Sequence, residues 1–223
     1  LLAGCESGGA ERVRNIKIGV AVYDQYDTFI SQLVEQFNQC AAEMSDSADS
    51  NISVKIEVYN AGKSQTTQND QVKNMLEQEC DVICVNLVDR TEPVTIIDMA
   101  EKQDVPVIFF NRELVEQDLE RWDRLYYVGA PALQSGILQG EMAADLFQKD
   151  PSVDKNEDGV FQYVVLEGDM DHQDAIVRTE YAINTITEQG VSVEKLGYGI
   201  ANWNRGQAQT KMTQMIGQYG DAI

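Results

Sequence analysis

The feature that most constrains this chain is an alternation. Short apolar runs recur between stretches of helical period, from residue 16 almost to the last. "IKIGVAV" (16–22) reads as a strand. "TFISQLVEQFNQCAAEM" follows and puts Ile30, Leu33, Val34, Phe37, Ala41 and Met44 on one helical face. "ISVKIEVYN" (52–60) is a second strand, and 64–79 a polar-faced helix. "DVICVNLV" (81–88) is almost continuously apolar, as a strand covered on both faces must be. A helix over 92–103 carries Pro93 near its first turn, and "VPVIFFN" (105–111) is a fourth strand. A strand–helix series with such short connections dictates a mostly parallel sheet with helices on both faces.

The second half repeats the theme. "RLYYVGA" (124–130) reads as a strand, 133–149 as a helix, 160–168 as a strand, 174–189 as a helix and 191–199 as a strand. In the last helix Ala208, Met212, Met215, Ile216 and Tyr219 share a face. The expected fold class is therefore α/β in two lobes. A tether covers 1–15, an N-terminal lobe 16–111 and a C-terminal lobe 112–223, with the joint near 109–113. After its opening strand and helix the second lobe has only two further strand–helix units, so it is expected to be incomplete in this chain.

Charge narrows the partners. With 37 acidic against 17 basic residues the formal net charge is −20, which repels phosphate backbones and argues against nucleic acid. No apolar run is long enough to span a bilayer. Cys40, Cys80 and Cys84 form no CxxC pair and the one histidine is remote, so free buried thiols are expected and zinc is not.

In open α/β sheets, ligands bind beyond the carboxyl ends of the strands. The polar residues there are Asp27, Asn60, Asn86 and Asn111. "YDQYDTF" after the first strand has no glycine for a dinucleotide pyrophosphate, and neither a P-loop nor a GxSxG motif occurs. Nothing nominates a nucleophile, so no catalysis is expected. An enzyme would have to use His172 with Asp174 as an acid–base pair, or Asp27 with Asp174 as paired carboxylates.

Two stretches carry more. In "GDMDHQDAIVR" (168–178), Asp171 suits a helix N-cap and Asp174 the first turn, with Arg178 one turn on. That accounts for the segment structurally. The same face could wall a sugar site, since a carboxylate accepts from two hydroxyls, a guanidinium donates a fork and an imidazole does either. Phe29 and Trp203, each near a strand's carboxyl end, could cover the C–H faces of a pyranose. In "DKNEDGVFQ" (154–162), Asp154, Asn156 and Asp158 alternate before Gly159 like the opening of a calcium loop. Position twelve of such a loop is Val165, so the match is partial, and an Asp/Asn/Gly-rich surface turn accounts for it equally.

Together "IGVAVYDQYDTF", "VNLVD", "VPVIFFNRE", "YYVGA…SGILQGE", "DKNEDGVFQYVVLEGD", "HQDAIVR" and "NWNRGQAQ" resemble the galactose/glucose-binding proteins of bacterial ABC transporters. These are sugar receptors of the two-lobed periplasmic-binding-protein type I fold, with parallel sheets flanked by helices. The resemblance implies Asp27, Phe29, Asn86, His172, Asp174, Arg178 and Trp203 as sugar ligands. It implies calcium on the side chains of Asp154, Asn156, Asp158 and Gln162 and the carbonyl of Val160. The family's other sugar ligands, and the glutamate that completes its calcium shell, are expected beyond residue 223. The N-terminal "LLAGC" resembles a lipobox, which casts Cys5 as a lipidated residue and implies a membrane-anchored, extracytoplasmic protein.

The implied function is a monomeric receptor whose lobes close on D-galactose or D-glucose and whose closed form is read by a membrane permease. A chemotaxis receptor would be a second reader of that form. Receptors for ribose or for a signalling furanosyl ligand share the fold, as does the sugar-sensing core of a transcriptional regulator. The aromatic pair and the calcium loop favour a hexose, and the tether-like N-terminus and the acidic charge of the whole chain disfavour the regulator.

Overall fold

The computed structural model describes residues 13–47, 51–170 and 172–223. Cys5 lies outside the described residues. The chain divides into two compact units, one of residues 1–25 and 30–127, the other of 26–29 and 128–223.

The first unit is built on a five-stranded sheet in the order β2-β1-β3-β4-β5. Its strands are β1 (Arg14–Val22), β2 (Ile52–Asn60), β3 (Val82–Val85), β4 (Val107–Phe110) and β5 (Leu125–Val128). β1 pairs in parallel with β2 and β3, and β3 in parallel with β4. The connecting helices are α1 (Thr28–Asp46), α2 (Gln65–Glu77), α3 (Val94–Lys102) and a single turn, α4 (Glu116–Leu119). The middle strands are covered on both faces: Ala21 and Val85 belong to a core with Val72, Met75, Ile96 and Ile97, while Val20, Val22 and Cys84 face Ile30 and Phe110. This explains the unbroken apolar runs of β1 and β3.

The second unit carries the parallel pair β6 (Val160–Glu167) and β7 (Ser192–Ile200). With it go α5 (Ala132–Lys149), α6 (Gln173–Glu188), α7 (Arg205–Tyr219) and a closing 3-10 turn. α5 and α6 approach through glycine. A Cβ on Gly136 would stand 2.8 Å from the Arg178 carbonyl oxygen, and one on Gly140 2.5 Å from that of Ala182. "SGILQG" is thus a contact surface that lets two helices touch at their backbones.

Several expectations shift. β5 extends the first sheet, and its Leu125 joins the same core as Leu114, so the first unit runs to Tyr127, past the 111/112 boundary the sequence suggested. Cys80 and Cys84 are buried as expected, but Cys40 is exposed. At about 100° per residue it falls off the stripe of Ile30, Phe37 and Ala41. Met44, at the end of its helix's apolar stripe, and Ile216, within its own, are also exposed. Burial alone pushes the Cys84 thiol up to about 11.

Candidate functional site

In the second unit, the loop from β6 to α6 and the loop from β7 to α7 carry the predicted polar cluster. His172, not Asp171, is the N-cap of α6, and its Nδ1 accepts from the backbone N–H of Asp174 at 3.2 Å. The N-cap must accept from the first turn, and an unprotonated imidazole nitrogen can do so. The hydrogen-bond geometry therefore puts the ring proton on Nε2, which becomes a donor. Asp171 lies outside the described residues.

Asp174 occupies the first turn of α6, where the unsatisfied N–H groups favour a carboxylate. Arg178 follows one turn later with Nη2 4.0 Å from Asp174 Oδ2, the two side chains being 32% and 14% exposed. That is a loose pair, worth little to stability. The Arg178 Nε–H is buried with no hydrogen-bond partner among the described residues.

Trp203 completes the cluster. Asn202 and Trp203 both have positive φ, 50° and 53°, an uncommon backbone for residues with side chains. The turn is held by Ala201 N–H donating to the Glu167 carbonyl at 2.7 Å and by Asn204 capping α7 through its bond from Gln207 N–H. This turn lays the indole over Gly168 so closely that a Cβ there would collide with the ring. The other side of the contact is His172, whose ring meets the indole edge-on with centroids 5.4 Å apart. The indole N–H is buried without a hydrogen-bond partner among the described residues. A strained turn that carries an aromatic ring with an unanswered donor is a common mark of a binding site.

Asp27 and Phe29 lie at the start of α1 and group with the second unit. Asp27 is 8% exposed, and its Oδ1 accepts from Phe29 N–H at 2.8 Å. Phe29 is 58% exposed, and its neighbour Tyr26 is more exposed still. Sequence reasoning passed over Tyr26, although an aromatic beside the acid was a visible signal.

Asn86 sits in the first unit, just past β3, and is fully buried. Its Nδ2 donates to the carbonyl of Phe110 at 3.3 Å and to Asn111 Oδ1 at 3.1 Å, and its Oδ1 accepts a longer bond, 3.4 Å, from Tyr23 N–H. Two of its three contacts thus tie β3 to the end of β4. Nearby, the Asp89 carboxyl is held below its usual range, chiefly by the Thr91 hydroxyl, which donates to it at 2.7 Å.

The predicted calcium loop is a compact turn leading into β6, as the sequence indicated. Gly159 N–H donates to Asp154 Oδ2 and Val160 N–H to Asp158 Oδ1, both at 2.8 Å. Glu157 and Gly159 have positive φ, which makes the turn sharp. The carboxamides of Asn156 and Gln162 donate to Asp158 Oδ2 at 2.8 and 2.9 Å. Asp154 Oδ1 is buried with no hydrogen-bond partner among the described residues. An orphaned buried carboxylate oxygen fits a cation. A half-turn of each carboxamide would present oxygen instead of nitrogen to it. The predicted ligand set has only two carboxylates, Asp154 and Asp158, and no group of three or more acidic, histidine or cysteine side chains that could hold a metal occurs among the described residues.

Comparison with known proteins places this geometry in context. Residues 18–223 match the periplasmic binding protein domain. A D-galactose/methyl-galactoside binding periplasmic protein of Haemophilus influenzae is 31% identical over 206 residues, covering 92% of this chain and 60% of that protein. A solute binding protein of a Bacillus halodurans ABC transporter, solved with bound myo-inositol, aligns at 26% identity with a TM-score of 0.68, over 94% of this chain and 64% of that one. A Mycobacterium smegmatis protein in complex with β-D-fucofuranose shares the fold at 19% identity and a TM-score of 0.71, over 91% of this chain and 60% of that one. The chain therefore spans 60% of the curated relative's length.

Proposed function

Because the chain belongs to the periplasmic binding protein domain family and has its type I fold, we propose that it is the sugar-binding part of an ABC-transporter receptor for D-galactose or D-glucose. The observation that carries this reading is the cluster of His172, Asp174, Arg178 and Trp203 at the carboxyl ends of β6 and β7. The imidazole Nε2–H and the guanidinium donate, the Asp174 carboxylate accepts, and one positive charge balances one negative. Such a set suits a neutral ligand with adjacent hydroxyls, each both donor and acceptor. The Trp203 ring and the exposed Phe29 ring offer apolar faces for a pyranose. The reading is binding without turnover, supported by the match to a periplasmic binding protein domain.

The similarity to a galactoside-binding protein supports a hexose. A cyclitol is the second reading, favoured by the myo-inositol in the Bacillus halodurans relative, because it presents a similar ring of hydroxyls. The loaded form is read by a membrane permease, and a chemotaxis receptor is a further candidate reader. Cys5 carries the lipid that anchors this extracytoplasmic receptor. Asp154, Asn156, Asp158, Gln162 and the Val160 carbonyl hold calcium, with a carboxylate from outside the loop completing the shell. Six to eight oxygen ligands are usual for this ion. Calcium there supplies charge neutralisation and a fixed loop, and no step of sugar binding passes through it.

Tryptophan emission tests the sugar reading. The chain has two tryptophans, Trp122 and Trp203. In full-length protein, D-galactose or D-glucose should change the tryptophan emission saturably, and Trp203→Phe should remove most of that change. A spectrum unmoved by either hexose counts against the assignment.

A further inference from the structure

The motif "FFNRE" holds a residue that the site above does not use. Arg112 reaches back from the end of β4 to the loop after β3, where its Nη1 donates to the Val88 carbonyl at 2.6 Å. Arg90 reaches the other way, from the loop after β3 to that after β4, and its Nε donates to the Glu113 carbonyl at 2.7 Å. The two side chains thus cross between the same pair of loops in opposite directions. Arg112 also lies over the buried ring of Tyr23 at the end of β1, 4.0 Å from its centroid. Three adjacent strand ends are fastened by this one side chain, at the edge where such sheets bind ligands.

The clasp closes around a strained turn. Asn111 has φ 66°, and Arg112 N–H donates to the Phe110 carbonyl at 2.8 Å, a three-residue turn of the rare kind. Such backbone persists where its surroundings over-determine it. Here the Tyr127 hydroxyl donates to the Asn111 carbonyl at 3.0 Å, and the Arg112 side chain ties the next residue to the loop after β3. The product of the strained turn is the position of Asn111 Oδ1, which receives Asn86 Nδ2.

We propose that Arg90 and Arg112 form a reciprocal clasp that positions the Asn86 carboxamide, through Asn111, for the sugar. This rests on the sugar-binding reading. The arginines are positioning residues: they act through carbonyls and the Tyr23 ring. Lysine cannot replace Arg112, because it lacks the planar guanidinium that both lies on a ring and donates to a carbonyl.

The test uses full-length protein and two readouts. In titration calorimetry with D-galactose and D-glucose, Arg112→Ala and Arg112→Lys should each weaken binding about tenfold or more, the change expected when a ligand hydrogen bond is lost. The folded fraction by circular dichroism should stay as in the parent. In ¹⁵N-resolved NMR of the unliganded protein, the Asn86 side-chain amide should exchange faster with solvent in both variants. Arg112→Met, which keeps an apolar stem over Tyr23, guards against a folding artefact and should behave the same way. Unchanged affinity with a folded variant overturns the inference, as does full rescue by Arg112→Lys. A parent that binds no hexose overturns the sugar reading instead, and the Asn86 exchange rates then decide whether the clasp holds that amide: unchanged rates overturn it.

Discussion

The imidazole of His172 meets the indole of Trp203 edge to face, with the ring planes at 73°. The two residues come from loops that follow different strands. His172 is fixed by its role as N-cap of α6, and Trp203 by the tight turn that leads into α7. The contact therefore registers two helix starts against each other, and each ring limits the motion of the other. A polar cluster built this way is formed before any ligand arrives, which lowers the ordering cost of binding.

Removal of the cap tests whether His172 does both jobs. His172→Ala should destabilise the protein by about 1 kcal/mol, the usual cost of losing an N-cap acceptor. His172→Asn keeps an acceptor for the Asp174 N–H and should restore most of that stability, while sugar affinity stays reduced because the Nε2–H donor is gone. Urea denaturation and calorimetry on the same samples separate the two effects. Equal affinity in His172→Asn and parent would remove the histidine from the proposed sugar site.

The close approach of α5 and α6 makes Gly140 a sensitive position. A Cβ there would press on backbone and on the Thr185 side chain, which cannot both give way. Gly140→Ala should lower stability by about 1–3 kcal/mol, the range for forced overpacking. It should also weaken sugar binding, since α6 carries Asp174 and Arg178. The measurement is the urea midpoint with the calorimetric Kd, and a variant as stable as the parent contradicts the packing account.

The proposed calcium loop gives a ligand-removal test. Calcium at about one hundred times its Kd should raise the unfolding free energy by about 2.7 kcal/mol. Chelation should reverse this, and Asp154→Asn should abolish most of it by taking a charge from the loop. Thermal unfolding with and without chelator reads the shift. A Tm indifferent to calcium in the parent would leave the loop as a surface turn.

Most of the fold was legible because parallel strands buried on both faces leave long apolar runs, and helices between them keep their period. The limits were local. "DVICVNLV" suggested eight residues of strand but yields four, because Asn86 turns its side chain to the end of β4 and the ladder stops there. The single turn α4 has too few residues to show a period. β5 could have opened a second lobe or closed a first sheet, and only its pairing and the burial of Leu125 decide that.

The candidate cluster was legible in its residue types and not in its geometry. His172, Asp174, Arg178 and Trp203 could be picked out by residue type and strand-end position, and the structure does bring these four together. That His172 caps its own helix was hidden, because aspartate is the commoner cap and Asp171 stood beside it. The role of Arg112 was hidden too: its partners Tyr23 and Val88 are distant in sequence, and nothing in "FNRE" announces them.

The central claim is that the cluster around Trp203 binds a hexose, and titration calorimetry of the full-length protein tests it most directly. The account predicts saturable heat with one site per chain for D-galactose or D-glucose. It also predicts affinity lowered more than about tenfold in Trp203→Ala and in Asp174→Ala, each of which removes a whole ligand contact. No heat with either hexose, or undiminished affinity in both variants, would contradict it.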